Sequence, residues 1–240
     1  MRTVEISLHN HTVLSPCAGL EMTPKKIMAR AAAQGIEIIG ITDHNSAANL
    51  RSAEYQAEKA GLCLLPGIEL TSAEDIHLLA FFREVGAAER VSELIGHKLY
   101  RKEFDPERVG YQIIVDQKDE FSGVIDYYLP AALSLGIKEI SMLVTEAGGV
   151  IIPAHVFRSQ GLLRTLGFIP ERANFKVLEY TLEQKLIDLK SEYKLTGDLS
   201  FIKSSDSHFL DSIKKVARIE LPENYTREDI LEALVLDRSV

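Results

Sequence analysis

Cysteine is scarce in this chain. Cys17 and Cys63 are the two in 240 residues, too few for a disulfide framework, and neither a Cys-x-x-Cys pair nor the Cys2His2 spacing of a structural zinc site is present. No run of about 18 apolar residues suggests a membrane span, and Met1-Arg2-Thr3-Val4-Glu5 opens without the apolar core of a signal peptide. The chain is therefore expected to be soluble and cytoplasmic, with no membrane partner. Positive charge is in the minority: 27 Lys and Arg against 35 Asp and Glu give a formal charge of −8, which argues against a chain-wide footprint for DNA or RNA. Nucleic acid stays possible as a partner but is not favoured, since a metal cluster can draw phosphates into a locally positive cleft. Lys25-Lys26 and Lys214-Lys215 are too short to form a nucleic-acid groove by themselves. Internal repeats, low-complexity tracts and Pro/Gly-rich linkers are also missing, so residues 1–240 read as a single domain, long enough for one α/β barrel.

What the chain does have is histidine in particular places. Six of its seven histidines lie beside expected strand ends: His9 and His11 in Leu8-His9-Asn10-His11-Thr12, His44 in Thr42-Asp43-His44-Asn45, then His77, His155, and His208 in Ser205-Asp206-Ser207-His208. Neutral imidazole is the commonest metal ligand, and strand ends of α/β folds gather side chains from distant parts of a chain. Together with Glu69 and Asp206, this distribution suggests a polynuclear metal cluster.

The element pattern supplies the scaffold. Val4, Ile6 and Leu8 alternate into His9, as a first strand should. Thr23 and Pro24 open a helix that Gly35 stops. Residues 37–41 form a strand ending at Asp43-His44, Ala47 to Ala60 a helix closed by Gly61, and Leu62 to Ile68 a strand ending at Glu69. This rhythm implies a parallel sheet. The step from Glu69 to His77 is too short for a parallel crossover, so Ile76 to Phe82 is expected to run back antiparallel and bring His77 beside Glu69. Further on come a helical stretch Glu89 to Arg101, an extended segment Tyr111 to Val115, an acidic turn Asp116 to Glu120, a helix Ile137 to Glu146 and a strand Val150 to Pro153 leading to His155. Strands Phe175 to Tyr180, Phe201 to Ser204 and Ala217 to Leu221 follow, and Thr226-Arg227-Glu228-Asp229 opens a final helix with a capping-box-like start. His97, on the charged helical stretch, takes a solvated or packing role, and Cys63, inside an apolar run, reads as a small hydrophobe.

The order His-x-His, Thr-Asp-His, Gly-Ile-Glu, a His in an apolar strand, Pro-Ala-His and Ser-Asp-x-His resembles the polymerase and histidinol phosphatase (PHP) family of metal-dependent phosphoesterases, from Leu8 to His208. The Pro66 to Thr71 and Glu74 to Leu79 stretches, with the segment around Gln112 to Asp116, look like a stand-alone bacterial subgroup. The resemblance implies a distorted (β/α)7 TIM-like barrel with its metal cluster at the C-terminal face of the strands, and two to three divalent ions (Zn, Fe or Mn). Carried over by motif, His9, His11, Glu69 and Asp206 would hold one metal. Glu69 would bridge to a second, held also by His77 and His155. His44, His208 and Cys17 would hold the third.

Two departures stand out. Cys17 lies where many members place Asp or His, and a thiolate leans toward zinc or iron. Its alternative role is a buried thiol fixing the loop. Ser7 stands where the family usually has Asp, and it can accept the same imidazole hydrogen bond without the charge. Asp43 reads either as a carboxylate holding a ligand imidazole or as a loop cap, and Arg158 either as a fork onto a substrate phosphate or as a surface arginine. Glu69, Asp206, Asp43 and Arg158 are the expected catalytic set. The expected activity is hydrolysis of a phosphomonoester on a small molecule such as a nucleotide, a sugar phosphate or histidinol phosphate. The alternatives are an exonuclease or phosphodiesterase on nucleic acid or dinucleotides, and a metal-binding regulatory protein without turnover.

Overall fold

The computed structural model describes all residues but 102, 171–174, 182–184, 194, 196–198 and 237–240. Three parallel strands start the wall: β1 (Arg2–Ser7), β2 (Ile38–Ile41) and β3 (Cys63–Thr71). Between them run α1 (Pro24–Ala33) and α2 (Leu50–Ala60), the right length for crossovers between parallel neighbours. Gly61, at φ 69°, ends α2 in the left-handed conformation that glycine adopts without strain. The close approach of β1 and β2 also requires glycine, because a Cβ on Gly40 would lie 2.1 Å from the Leu8 carbonyl oxygen.

The expected hairpin is present. β4 (His77–Phe81) runs antiparallel to β3, with Thr71 opposite His77 and Glu69 opposite Leu79. After α3 (Val85–Gly96) and a four-residue α4 (Pro106–Val109), the chain forms a small hairpin of β5 (Ile113–Val115) and β6 (Phe121–Val124). The acidic turn joins them: Asp116 Oδ1 accepts the amides of Lys118 and Glu120. α5 (Ile137–Glu146) leads to β7 (Val150–Pro153), antiparallel to β4. A five-residue α6 (Leu162–Leu166) and a seven-residue α7 (Leu186–Glu192) flank β8 (Val177–Thr181), which pairs in parallel with β9 (Ser200–Ser204). β10 (Ala217–Leu221) returns antiparallel to β1, and α8 (Arg227–Leu236) follows with the Thr226/Asp229 reciprocal cap in place.

The six-stranded sheet has the order β10-β1-β2-β3-β4-β7, and the β8–β9 pair meets it at both ends, β8 against β7 and β9 against β10. The result is a distorted TIM-like barrel in which β4 and β10 run against their neighbours. Strand alternation separates two cores. Val4, Ile6, Ile38, Leu65, Leu79, Phe81, Ile152, Val177 and Ile202 pack together with Ile230, Leu231 and Leu234 of α8. Their alternates Ile39, Ile41, Leu64, Ile68, Leu78, Ala80, Leu178 and Phe201 pack with α1, α2, α3 and α5. Following the first parity along each strand leads to Glu69, His77 and Glu179, so polar side chains enter the cluster on the face that elsewhere fills the barrel.

Several boundaries differ from expectation by one to five residues; α2, expected from Ala47, starts at Leu50, and β3, expected to end at Ile68, runs to Thr71. The helix expected over 89–101 starts at Val85 and ends at Gly96, with His97 as an exposed C-cap. The strand β6, exposed along most of its length, had no alternation to announce it. Among the described residues no helix is long and apolar enough to cross a membrane.

Candidate metal centre

The loops leaving β1, β2, β7 and β9 converge with Glu69 of β3 and His77 of β4 at one end of the barrel. Backbone bridges between Asn10 and Ser207, and between His44 and Glu69, extend the ladder into these loops. Asn10 holds the first in place, its amide donating to Ser7 O and Gly40 O. His155 (φ 28°), Asp206 (φ 50°) and Asn45 (φ 45°) are all left-handed. Each costs on the order of 1–3 kcal/mol, and such strain concentrates where a side chain must be aimed.

Glu69, 1% exposed, is the centre of the array. Its Oε1 lies 2.9 Å from His77 Nδ1, 3.2 Å from His155 Nε2 and 3.4 Å from His9 Nε2. Its Oε2 lies 3.1 Å from His44 Nδ1 and 3.3 Å from His11 Nε2. Asp206 Oδ1 lies 3.3 Å from His9 Nε2 and 3.4 Å from His11 Nε2. Cys17 Sγ is 3.3 Å from His44 Nε2 and shares a ligand-sized space with His11, His44 and His208. All nine residues expected as ligands are thus brought together, in three overlapping groups: His9, His11 and Asp206; His44, Glu69 and His77; and His11, Cys17, His44 and His208. His155 joins through Glu69. The groups differ from the motif-based division: His11 and His44 each belong to two, while Glu69, expected in two, belongs to one.

Hydrogen bonding fixes which nitrogens face the cluster. His9 Nδ1 lies 3.0 Å from both oxygens of Glu179, a pure acceptor when ionised, so Nδ1 carries the proton. Ser15 donates its hydroxyl proton to Asp43 Oδ1 at 2.7 Å and accepts the His44 amide, so it accepts from His11 Nδ1 at 3.0 Å as well. His208 Nδ1 donates to the Asp206 carbonyl at 2.9 Å. In each ring Nε2 is left with a bare lone pair. The Nε2 atoms of His9 and His11 then lie 3.1 Å apart, with the oxygens of Glu69 and Asp206 around them. Four lone-pair donors directed at one another repel unless positive charge sits among them. His44 Nδ1 and Glu69 Oε2, which face each other in the cluster, are buried without a hydrogen-bond partner, a further sign that the donor set is built for cations. The residues present fit divalent metal ions.

The titration behaviour agrees. Burial alone would lower His11, but Asp206 and Glu69 raise it to about 9, and Glu179, Asp206 and Glu69 likewise lift His9 well above its ordinary value against the effect of burial. Burial would raise Glu69 and Asp206, yet the imidazoles hold both well below the usual carboxylate range. Protons drawn into the ring pair stand where cations belong. Burial lowers His208 to about 4, helped by the charge of His11. Burial raises the Cys17 thiol, and Glu69 and Asp206 push in the same direction.

Asp43 does not hold an imidazole directly. Its carboxylate accepts the Thr12 amide, the Thr12 hydroxyl and the Ser15 hydroxyl, each at 2.7 Å, so it caps the loop and reaches His11 through Ser15. Ser7 does not orient an imidazole either: its hydroxyl donates to Asn10 Oδ1 at 3.3 Å, and Glu179 supplies the charged acceptor to His9. Glu179 went unrecognised in the sequence, although a charged residue in the run Val177-Leu178-Glu179-Tyr180, at the parity of buried Val177, is the mark of a buried polar group with a task. Ser15 carried no comparable signal.

Above the cluster opens a cavity of about 530 Å³, bordered by Arg158, Gln160, Asp75 and Tyr128. Arg158, with half of its side chain exposed, places Nη1 3.2 Å from Asp206 Oδ2. Gln160 donates to Asp75 Oδ1 at 2.9 Å across the rim. Asn45 holds the opposite wall, donating to the carbonyls of Leu129 and Ala131.

Comparison with known proteins accords with this geometry. The chain resembles a Haemophilus influenzae protein named as a 5′-3′ exoribonuclease, 30% identical over 70 residues, a stretch covering 29% of this chain and 24% of that protein. In structure it is similar to the lesion-specific endonuclease Q of Pyrococcus furiosus (TM-score 0.68, 17% identity, 97% of this chain), of which it spans 56%. It is also similar to a structure from Bifidobacterium adolescentis named for an inferred metal-dependent phosphoesterase activity (TM-score 0.56, 24% identity, 99% of this chain and 97% of that one). The model of the PHP domain matches residues 7–225, from the end of β1, just before the first histidine pair, to beyond the loop of Asp206 and His208, and the chain belongs to the PHP family of metal-dependent phosphoesterases.

Proposed function

We propose that this protein hydrolyses a phosphomonoester on a small molecule, a nucleotide, a sugar phosphate or histidinol phosphate, with two to three divalent ions (Zn, Fe or Mn) held by His9, His11, Cys17, His44, Glu69, His77, His155, Asp206 and His208. The observation that carries this reading is the pair of bare Nε2 atoms on His9 and His11, 3.1 Å apart and fully buried, whose carboxylate neighbours Glu69 and Asp206 line a cavity of about 530 Å³, a volume suited to a small ligand. Divalent ions supply phosphoester hydrolysis with a water of lowered pKa and with neutralisation of the phosphoryl oxygens. The chain's own part is positional. Glu69 and Asp206 bring negative charge to the shared donors, and Asp43, through Ser15, keeps His11 in the tautomer that offers Nε2. Arg158 has its guanidinium at the rim beside Asp206, where its free N–H groups can fork onto a phosphate entering the cavity.

A second reading, hydrolysis of a phosphodiester in nucleic acid from one end, is favoured by one specific observation, the 30% identity over 70 residues to the Haemophilus influenzae protein named as an exoribonuclease. The formal charge of −8 weighs against a long nucleic-acid track. Metal-reconstituted protein assayed against nucleoside monophosphates, histidinol phosphate, sugar phosphates, dinucleotides and single-stranded oligonucleotides separates them. Release of phosphate from monoesters alone is expected. Progressive shortening of oligonucleotides would establish the second reading, and a filled cluster without turnover on any substrate would point to a regulatory metal protein.

A further inference from the structure

Glu179 lies outside the proposed ligand set, yet it is 1% exposed and holds two ligand-bearing loops at once. Both carboxylate oxygens are 3.0 Å from His9 Nδ1. Oε2 also accepts the backbone amide of His155 at 2.8 Å, and the Glu179 carbonyl accepts the amide of Val156. The residue so held is one of the left-handed ones, His155 at φ 28°. A buried carboxylate is costly to desolvate, and simple packing at this position would be served better by an apolar side chain like Val177 or Ile202 beside it.

We propose that Glu179 is a positioning residue of the metal centre: its carboxylate keeps His9 in the tautomer that presents Nε2 to the cluster and ties the loop after β7 to the loop after β1. The inference rests on the metal-binding reading above. An ionised carboxylate hydrogen-bonded to the far nitrogen of a ligand imidazole fixes the ring and raises its basicity. A glutamine replaces it poorly. With its oxygen at the Oε2 position it still accepts from both loops, but its NH2 group then stands at the Oε1 position, 3.0 Å from His9 Nδ1–H, donor against donor, and the negative charge is gone. The loss would fall first on His9.

The test is zinc titration of the metal-stripped full chain, wild type against Glu179→Gln, with the His9 ring nitrogens and the Nδ1 proton followed by NMR in the zinc-loaded state. Zinc binding about 10–100-fold weaker in Glu179→Gln, with the His9 Nδ1 proton resonance moved, is the expected result. Wild-type affinity with an unchanged His9 signal would overturn the inference, whatever happened to the thermal midpoint, because a merely structural role would move the midpoint alone. Should Glu179→Gln fail to fold, the wild-type spectrum decides: His9 coordinated through Nε2 with Nδ1 protonated supports the assignment, and coordination through Nδ1 overturns it. Wild-type protein that takes up no zinc, manganese or iron would instead remove the metal-binding reading, and this inference with it.

Discussion

Asp43 accepts the hydroxyl proton of Ser15 at 2.7 Å, and that bond decides which nitrogen of His11 faces the cluster. With its proton committed, Ser15 Oγ can only accept from the ring 3.0 Å away. Ser15→Ala removes the acceptor for His11 Nδ1 and for the His44 amide together. The expected result is a stability loss of about 1–3 kcal/mol from buried donors left unmatched and metal binding weaker by about 10–100-fold. Chemical denaturation of the metal-free protein and a metal titration measure the two separately. Unchanged metal affinity in Ser15→Ala would mean that His11 does not depend on this relay.

Glu69 meets five imidazoles through two oxygens. Glu69→Gln keeps the shape and removes the charge, so the protein should fold, lose at least one metal equivalent and lose most of its turnover. Metal content by elemental analysis, alongside phosphatase assays at saturating metal, checks this. Near wild-type turnover would show that Glu69 is not shared between ions.

Much of this arrangement was legible before the fold was known, for physical reasons. Val4, Ile6 and Leu8 alternate because one face of β1 fills the barrel, and the short step from Glu69 to His77 leaves room only for the hairpin that β3 and β4 make. What stayed hidden depends on contacts between distant loops. Asp43 sits next to His44 in sequence but turns its carboxylate to Thr12 and Ser15, which only the packing of two loops could reveal. Glu179 lies 170 residues from His9. β6 is exposed and so carries no hydrophobic pattern, and the start of α3 at Val85 lacks a side-chain cap to mark it.

Arg158 is half exposed, and its ion pair with Asp206 joins that solvated guanidinium to a carboxylate only 9% exposed, which keeps His9 and His11 as partners when the arginine is removed. With its cationic end in solvent, the pair contributes little to stability, roughly 0–1 kcal/mol by the measure of half-exposed pairs. Arg158→Ala should therefore leave the thermal midpoint within a degree or two while raising KM or lowering kcat/KM about tenfold or more, the loss appropriate to a charged hydrogen bond onto phosphate. Lysine at the same position should restore only part of it, because an ammonium cannot make the forked contact. A marked drop in the midpoint with unchanged kinetics would place Arg158 in the scaffold instead.

Among the proposed ligands, Cys17 is the one whose chemistry departs most from the family pattern. Its residue surface is open to solvent, yet the sulfur turns inward to lie 3.3 Å from His44 Nε2. His208 and His11 complete the same space, and His208 offers it a bare Nε2 because its Nδ1 is tied to the Asp206 carbonyl. A cation in that space would favour the thiolate, which the surrounding carboxylates and burial otherwise disfavour. X-ray absorption on zinc-loaded protein should then show a sulfur scatterer near ~2.3 Å. Cys17→Ser should lower the zinc content by one equivalent and shift metal preference toward manganese, because a hydroxyl is a harder donor than a thiolate. The midpoint of the metal-free protein should hardly change, since the residue packs little apolar surface. A first shell without sulfur, together with an unaltered zinc count in Cys17→Ser, would make Cys17 a bystander and leave the third position to His11, His44 and His208.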